Sequence, residues 1–182
     1  RKVLETLNCA LYPNALAGST TNGVALSTDE KTLYIANADN NCLAVFDVSA
    51  VGNSKSKGFI PVGWYPTSVR VVNKKLWVAN GKGFSSKANP FGPSPVRAKE
   101  EVISHGASFK PGDQVEYIGG LFKGSMSIIA VPTDKDLVAY SKAVYKNVPY
   151  SIAKTNLADS SAPGFPIPMK QNQSSPIKYI FY

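Results

Sequence analysis

Short apolar runs alternate with polar, turn-forming clusters through residues 20–72. Asn22-Gly23-Val24-Ala25-Leu26-Ser27 has the pattern of a strand, and Thr28-Asp29-Glu30-Lys31 that of a turn. Thr32-Leu33-Tyr34-Ile35-Ala36-Asn37 follows as a second strand and Ala38-Asp39-Asn40-Asn41 as a second turn. Residues 42–48 form a third strand, apolar through most of its length and therefore expected to be covered on both faces. Residues 58–63 make a fourth, outer strand, where Pro61 argues for a sheet edge because proline donates nothing to a ladder.

The pattern then restarts. Residues 67–72 match residues 22–27, and Leu76-Trp77-Val78-Ala79-Asn80 matches Leu33-Tyr34-Ile35-Ala36-Asn37. Residues 124–131 take the part of the third strand, after an insertion. A period in the low forties with four strands per unit is the mark of a β-propeller blade, so the fold class is read as all-β. Residues 1–19 hold an outer strand of a preceding blade, around 2–7, and a loop. Residues 20–64 are one blade, and residues 65–133 are a second blade carrying the inserted loop 83–120. A short helix is expected around Ala98-Lys99-Glu100-Glu101. Residues 134–150 are a connector helix: Leu137, Tyr140, Val144 and Val148 recur at helical spacing. Thr133 is placed to cap it, with Asp134 and Asp136 near its positive end. Residues 151–176, rich in proline and polar side chains, are a linker, and residues 177–182 have the pattern of the first strand of a following domain.

Composition narrows the classes. The chain has 182 residues, 43% of them hydrophobic and 18% charged, which suits a globular domain and excludes collagen and wholly disordered chains. No apolar run approaches the roughly 18 residues of a membrane-spanning helix. The chain opens at Arg1 inside one strand-like pattern and stops at Tyr182 inside another, so it is read as part of a longer polypeptide. The net charge is +8, but Lys55, Lys57, Lys74 and Lys75 are scattered in or beside turns. That argues for a solvated surface rather than a basic nucleic-acid-binding module, the weakest of the functional alternatives. Cys9 and Cys42 have no metal-type spacing; they are two buried small residues or, in an oxidising compartment, a disulfide.

The repeated Tyr34-Ile35-Ala36-Asn37 and Trp77-Val78-Ala79-Asn80 resemble the YVTN β-propeller repeat of bacterial surface-layer and lactonase-like propellers. The runs 36–41, Gly63-Trp64-Tyr65-Pro66-Thr67 and Ala79-Asn80-Gly81-Lys82-Gly83 are similar to those of bifunctional Bacteroidetes-type proteins, in which a seven-bladed propeller precedes a phosphoesterase of the alkaline-phosphatase type. Tyr117-Ile118-Gly119-Gly120 and Ser174-Ser175-Pro176-Ile177-Lys178-Tyr179 resemble the segments joining the two halves. The resemblance implies a periplasmic or exported parent and a partial seven-bladed propeller here. The phosphoesterase half, with its divalent metal, would lie beyond Tyr182. The partners implied are the remaining blades and that half, or a second chain completing the fold. A lactonase-like or other small-ligand-binding propeller is the alternative.

The candidate chemistry is sparse. His105 is the sole histidine, and the neighbouring Ser104 cannot form a triad with it, because adjacent side chains point apart. One histidine and two distant cysteines make no structural zinc site, and Asp39-Asn40-Asn41 lacks the spacing of a calcium loop. Gly81-Lys82-Gly83 fails the P-loop spacing and is read as the turn opening the insertion, with Lys82 available to an anion. Trp64 and Tyr65 lie at a blade junction, where they either pack between blades or stack on a ligand. Arg70, on an inner-type strand, faces the central channel as an anion contact or a structural ion pair. The segment itself is read as non-catalytic, with ligand-binding candidates Trp64, Tyr65, Arg70, Lys82 and His105.

Overall fold

The first three turns after residue 26 each hold a left-handed residue, at Glu30, Asn41 and Gly52. In a computed structural model, which describes residues 2–12, 15, 18–84, 101–103, 114–148, 175 and 177–180, four strands form an antiparallel sheet in sequential order. They are β1 (Thr21–Leu26), β2 (Thr32–Asn37), β3 (Cys42–Asp47) and β4 (Lys55–Pro61). The β1–β2 turn closes through Glu30 N–H to Ser27 O at 2.9 Å, with the Ser27 hydroxyl on Asp29 Oδ1 at 2.6 Å. That bond holds the Asp29 carboxyl below its ordinary range. Asn41 ends the β2–β3 turn at φ 52, a left-handed conformation that asparagine accepts.

The second repeat contributes β5 (Trp64–Val72) and β6 (Lys75–Gly83), joined through Asn73 and Lys74 at φ 49 and 56. Two successive left-handed residues match the twist of a hairpin. Then come β7 (Glu101–Ile103), β8 (Gln114–Glu116), a 3-10 turn at Ile118–Leu121 and β9 (Ser125–Ala130). β9 pairs with β6, so the second sheet has the order β5-β6-β9. β7 and β8 form a short parallel ladder. The helix expected around Ala98 is corrected at its end: Glu101 belongs to β7, where β-branched Val102 and Ile103 favour extended backbone. Ala98, Lys99 and Glu100 lie outside the described residues.

The two sheets share one register. Ala25 opposes Tyr34, Tyr34 opposes Val45, and Ala36 opposes Leu43. At the corresponding places Arg70 opposes Trp77, Trp77 opposes Ile128, and Ala79 opposes Met126. Side chains alternate along a strand, so register assigns faces. Tyr34, Ala36, Leu43, Val45 and Ile60 of the first sheet form a single buried cluster with Val69, Leu76 and Val78 of the second. One face of the first sheet thus packs on the opposite-type face of the second. β3 is buried on both faces from Cys42 to Phe46, as its unbroken apolar sequence requires.

The helix α1 (Asp134–Asn147) starts with a reciprocal cap. Thr133 Oγ1 lies 2.7 Å from Asp136 Oδ2, which also accepts Thr133 N–H at 3.0 Å. Asp136 stands where a capping box carries glutamate. Leu137 is buried in the sheet–sheet cluster and Tyr140 packs against it. Ser141 meets the free edge of β4: its Oγ accepts Phe59 N–H at 2.9 Å and lies 3.3 Å from Phe59 O and 2.8 Å from Leu137 O. Gly58, at φ 135, permits this approach, because a Cβ there would fall 2.3 Å from Ser141 Oγ.

Residues 2–7, expected as the outer strand of a preceding blade, form no ladder with any described residue. The segment is held by side chains instead. Glu5 accepts Ser54 N–H at 3.0 Å and Ser54 Oγ–H at 2.6 Å, and Asn37 Nδ2 donates to Cys9 O at 2.7 Å. The chain divides into two compact units, Arg1–Val144 and Tyr145–Tyr182. In the second, residues 177–180 likewise form no ladder, and Tyr179 and Ile180 are exposed. The linker expected at 151–176 lies outside the described residues apart from Ser175.

Ser141→Ala is expected to lower the unfolding free energy by about 1 kcal/mol, the net share of the hydrogen bonds its hydroxyl makes with Phe59 and Leu137. Urea denaturation measures this, and an unchanged midpoint would show that the hydroxyl adds nothing to the hold of the helix on β4.

Candidate functional site

Three loop or strand ends meet where β4 passes into β5. Val62 N–H donates to Asn41 O at 3.1 Å, and Tyr65 N–H donates to Asn41 Oδ1 at 2.8 Å. The β2–β3 turn thereby fixes the entry to β5. Tyr65 is held at φ 60, costly for a bulky side chain, inside the register break between Trp64 and Pro66, and a second break follows between Pro66 and Ser68. Its ring receives Lys82: Nζ lies 4.5 Å from the Tyr65 centroid and 5.8 Å from that of Phe122. A cation over an aromatic face is attracted by the ring quadrupole. Trp64, 41% exposed, opposes Gly83 at the rim of the same cluster.

The reading of Gly81-Lys82-Gly83 as a turn is corrected: these residues complete β6. Gly83, at φ 62, lets the strand run close beneath Lys123, whose carbonyl a Cβ would meet at 2.2 Å. Lys82 therefore sits on a rigid strand. Tyr65 and Lys82 are brought together, and Trp64 precedes Tyr65 in the strand, opposite Gly83. Arg70 is apart from them, exposed on the second sheet opposite Trp77, with Nη1 on Val69 O at 3.2 Å. His105 lies outside the described residues. Phe122 joins the cluster without a sequence signal, because the insertion separates it from Lys82 by forty positions of chain.

Behind this end lies a buried asparagine in each sheet, Asn37 at 0% and Asn80 at 2% exposure. Asn80 Nδ2 donates to Ser127 Oγ at 2.9 Å and lies 3.3 Å from Ser125 Oγ. Asn37 spans the Cys9 carbonyl and Cys42, its register partner. Oδ1 of both asparagines is buried without a bond. Cys9 and Cys42 are free thiols: Cys42 is fully buried, Cys9 half-buried. Burial pushes the Cys42 thiol up to about 12, against a partial counter-effect from the Asn37 hydrogen bond. Beside Cys9 a cleft of about 490 Å³ runs along Asn8, Ala10, Ser19 and Thr20.

Among the described residues no three His, Cys, Asp or Glu side chains converge as a metal set. The cluster offers one cation, two aromatic rings and an exposed indole, which suits contact with an anionic or aromatic group. No helix among the described residues is long and apolar enough to cross a membrane.

No family model matches the chain, and no curated protein matches it. Among solved structures, a luciferin-regenerating enzyme is similar at 23% identity over 35% of this chain and 23% of that chain, with a TM-score of 0.28.

Cys42 should resist iodoacetamide in the folded protein at pH 8, while Cys9 is alkylated first and denaturant equalises them. The raised thiol also links folding to pH. Its share of stability is fully present below the ordinary thiol range near 9.0 and is lost as pH climbs toward about 12. Denaturation midpoints across that range should fall in the wild type more steeply than in Cys42→Ala.

Proposed function

We propose that the chain is a non-catalytic binding and scaffold segment of a seven-bladed β-propeller of the YVTN type, each of its two sheets being one blade. The observation that carries this reading is the shared register. The same face pairing, with Tyr34 opposite Val45 and Trp77 opposite Ile128, occurs in both sheets, and the first sheet stacks on the second. Sheets that each present one docking face and one receiving face form a repeating stack, in which every unit needs neighbours on both sides. The exposed Val24 and Leu26 at one end, and Met126 and Ile128 at the other, support a continuation of that stack in both directions.

The parent is an exported bacterial protein whose further half is a metal-dependent phosphoesterase, and the divalent metal is bound there. The support is the likeness of the joining segments around Tyr117 and Ser174. This chain contributes the blade-end cluster of Trp64, Tyr65 and Lys82 as a contact for an anionic or aromatic ligand.

The test pairs two preparations. The 182-residue chain, given zinc or magnesium, is expected to leave p-nitrophenyl phosphate intact. The polypeptide translated from the complete reading frame is expected to hydrolyse it and to appear as one larger mass under denaturing conditions. Hydrolysis by the short chain would overturn the non-catalytic reading, and an inert longer polypeptide would overturn the phosphoesterase half.

A further inference from the structure

The second sheet displays an unmet copy of a docking face that the first sheet has already used. Pairing for pairing, Tyr34, Ala36, Leu43 and Val45 correspond to Trp77, Ala79, Met126 and Ile128. The first set is buried against the second sheet, Tyr34 at 2% and Leu43 at 0% exposure. Of the second set, Trp77 is 39%, Met126 57% and Ile128 51% exposed, and Val72 on the same face is 48% exposed. Arg70 and Lys75 lie on this face as well, and an exposed apolar cluster with a charged margin marks an interaction surface.

The receiving face has a counterpart too. In the second sheet, Val69 opposes Val78 and Val71 opposes Leu76, and all four lie in or against the buried cluster. In the first sheet the same places hold Val24 opposite Ile35 and Leu26 opposite Leu33. The inner part of that face is closed, with Ile35 and Phe46 at 5% exposure. Val24 at 58% and Leu26 at 47% leave its β1 margin open. One chain therefore carries an open copy of the docking half, and the open β1 margin of the receiving half, of an interface that it also forms once internally.

We propose that the Trp77, Met126 and Ile128 face is a docking face for a second copy of this chain, which offers the Val24 and Leu26 margin of its own first sheet. The proposal rests on the stacked-sheet reading above and names the residues through which the stack continues. The contact is head-to-tail, between two different patches, and so leaves each dimer with one open face of each kind. The receiving margin is narrow, so the association is weak and concentration-dependent.

Sedimentation velocity of the folded chain over about two decades of concentration tests this. The wild type is expected to move from monomer to larger species. Ile128→Lys removes the docking face and Leu26→Lys the receiving one, and each alone is expected to be monomeric. Their equimolar mixture is expected to recover a dimer and nothing larger, because each variant retains the half the other lacks. Both positions are exposed, so circular dichroism should show unaltered folding. Val24→Lys replaces Leu26→Lys if the latter unfolds. A wild type that stays monomeric throughout overturns the second copy as occupant. It leaves the propeller reading to the longer polypeptide, whose further blades would fill the face instead. Association abolished by Ile128→Lys but indifferent to both receiving-face variants overturns the head-to-tail geometry in favour of a symmetric contact.

Discussion

The packing of one sheet on the other is the constraint from which the rest follows. Val69, Leu76 and Val78 are buried in one cluster with Tyr34, Leu43, Val45 and Ile60 of the first sheet and Leu137 of the helix. Burying a large aliphatic or aromatic side chain contributes about 1.5–3 kcal/mol, so this cluster outweighs any single polar contact in the molecule. It also fixes the register. A slip of one residue in β2 would turn Tyr34 and Ala36 to the other face and bring Leu33 and Ile35 inward. The turns at Asn41 and at Asn73-Lys74 reinforce the same choice, because their left-handed residues fit only hairpins of these lengths.

Edges are managed unequally. β4 is shielded by α1, whose Ser141 Oγ accepts the Phe59 N–H at 2.9 Å and donates its own proton to Leu137 O at 2.8 Å. Helix cover of this kind prevents strand-to-strand pairing with other chains. β9 is the outer strand of the second sheet, and Met126 and Ile128 project from it into solvent. The Lys57–Asp134 ion pair, 2.9 Å long, adds little to the helix contact because Asp134 is 86% exposed. Side-chain packing at Leu137 and the hydroxyl at Ser141 hold the helix in place.

Much of the first unit was legible in the sequence because local signals agreed there. Alternation, turn residues and the recurring Ala-Asn pair gave β1 to β6 within a few positions, and Thr133 with Asp136 marked the helix start. What escaped depends on distant partners. Residues 2–7 have strand composition yet form no ladder among the described residues, and the Glu5 carboxylate bonds Ser54. Gly81-Lys82-Gly83 looked like a turn because glycine usually punctuates, whereas Gly83 serves a close approach to Lys123. At the candidate site, residue type singles out Trp64, Tyr65 and Lys82, but the meeting of Lys82 with the Tyr65 ring arises from the β5–β6 pairing. Phe122 could be placed beside them only by the fold.

The two docking faces are alike in register and unlike in chemistry, and the difference bears on what the outer one can accept. Where the inner face has Tyr34, Leu43 and Ala25, the outer one has Trp77, Met126 and Arg70. Methionine adapts to irregular surfaces, and an indole needs an acceptor for its N–H when covered. Arg70 carries its charge on a long apolar stem, so it can cover a neighbour's aliphatic surface while its head stays in water. Its Nη1 already rests on the Val69 carbonyl. An occupant that buried the guanidinium fully would face a desolvation cost that the gained apolar area could not offset without a carboxylate opposite. The outer face thus favours an occupant that is aliphatic at its centre and open or acidic where Arg70 emerges, a stricter requirement than the inner face places on the second sheet.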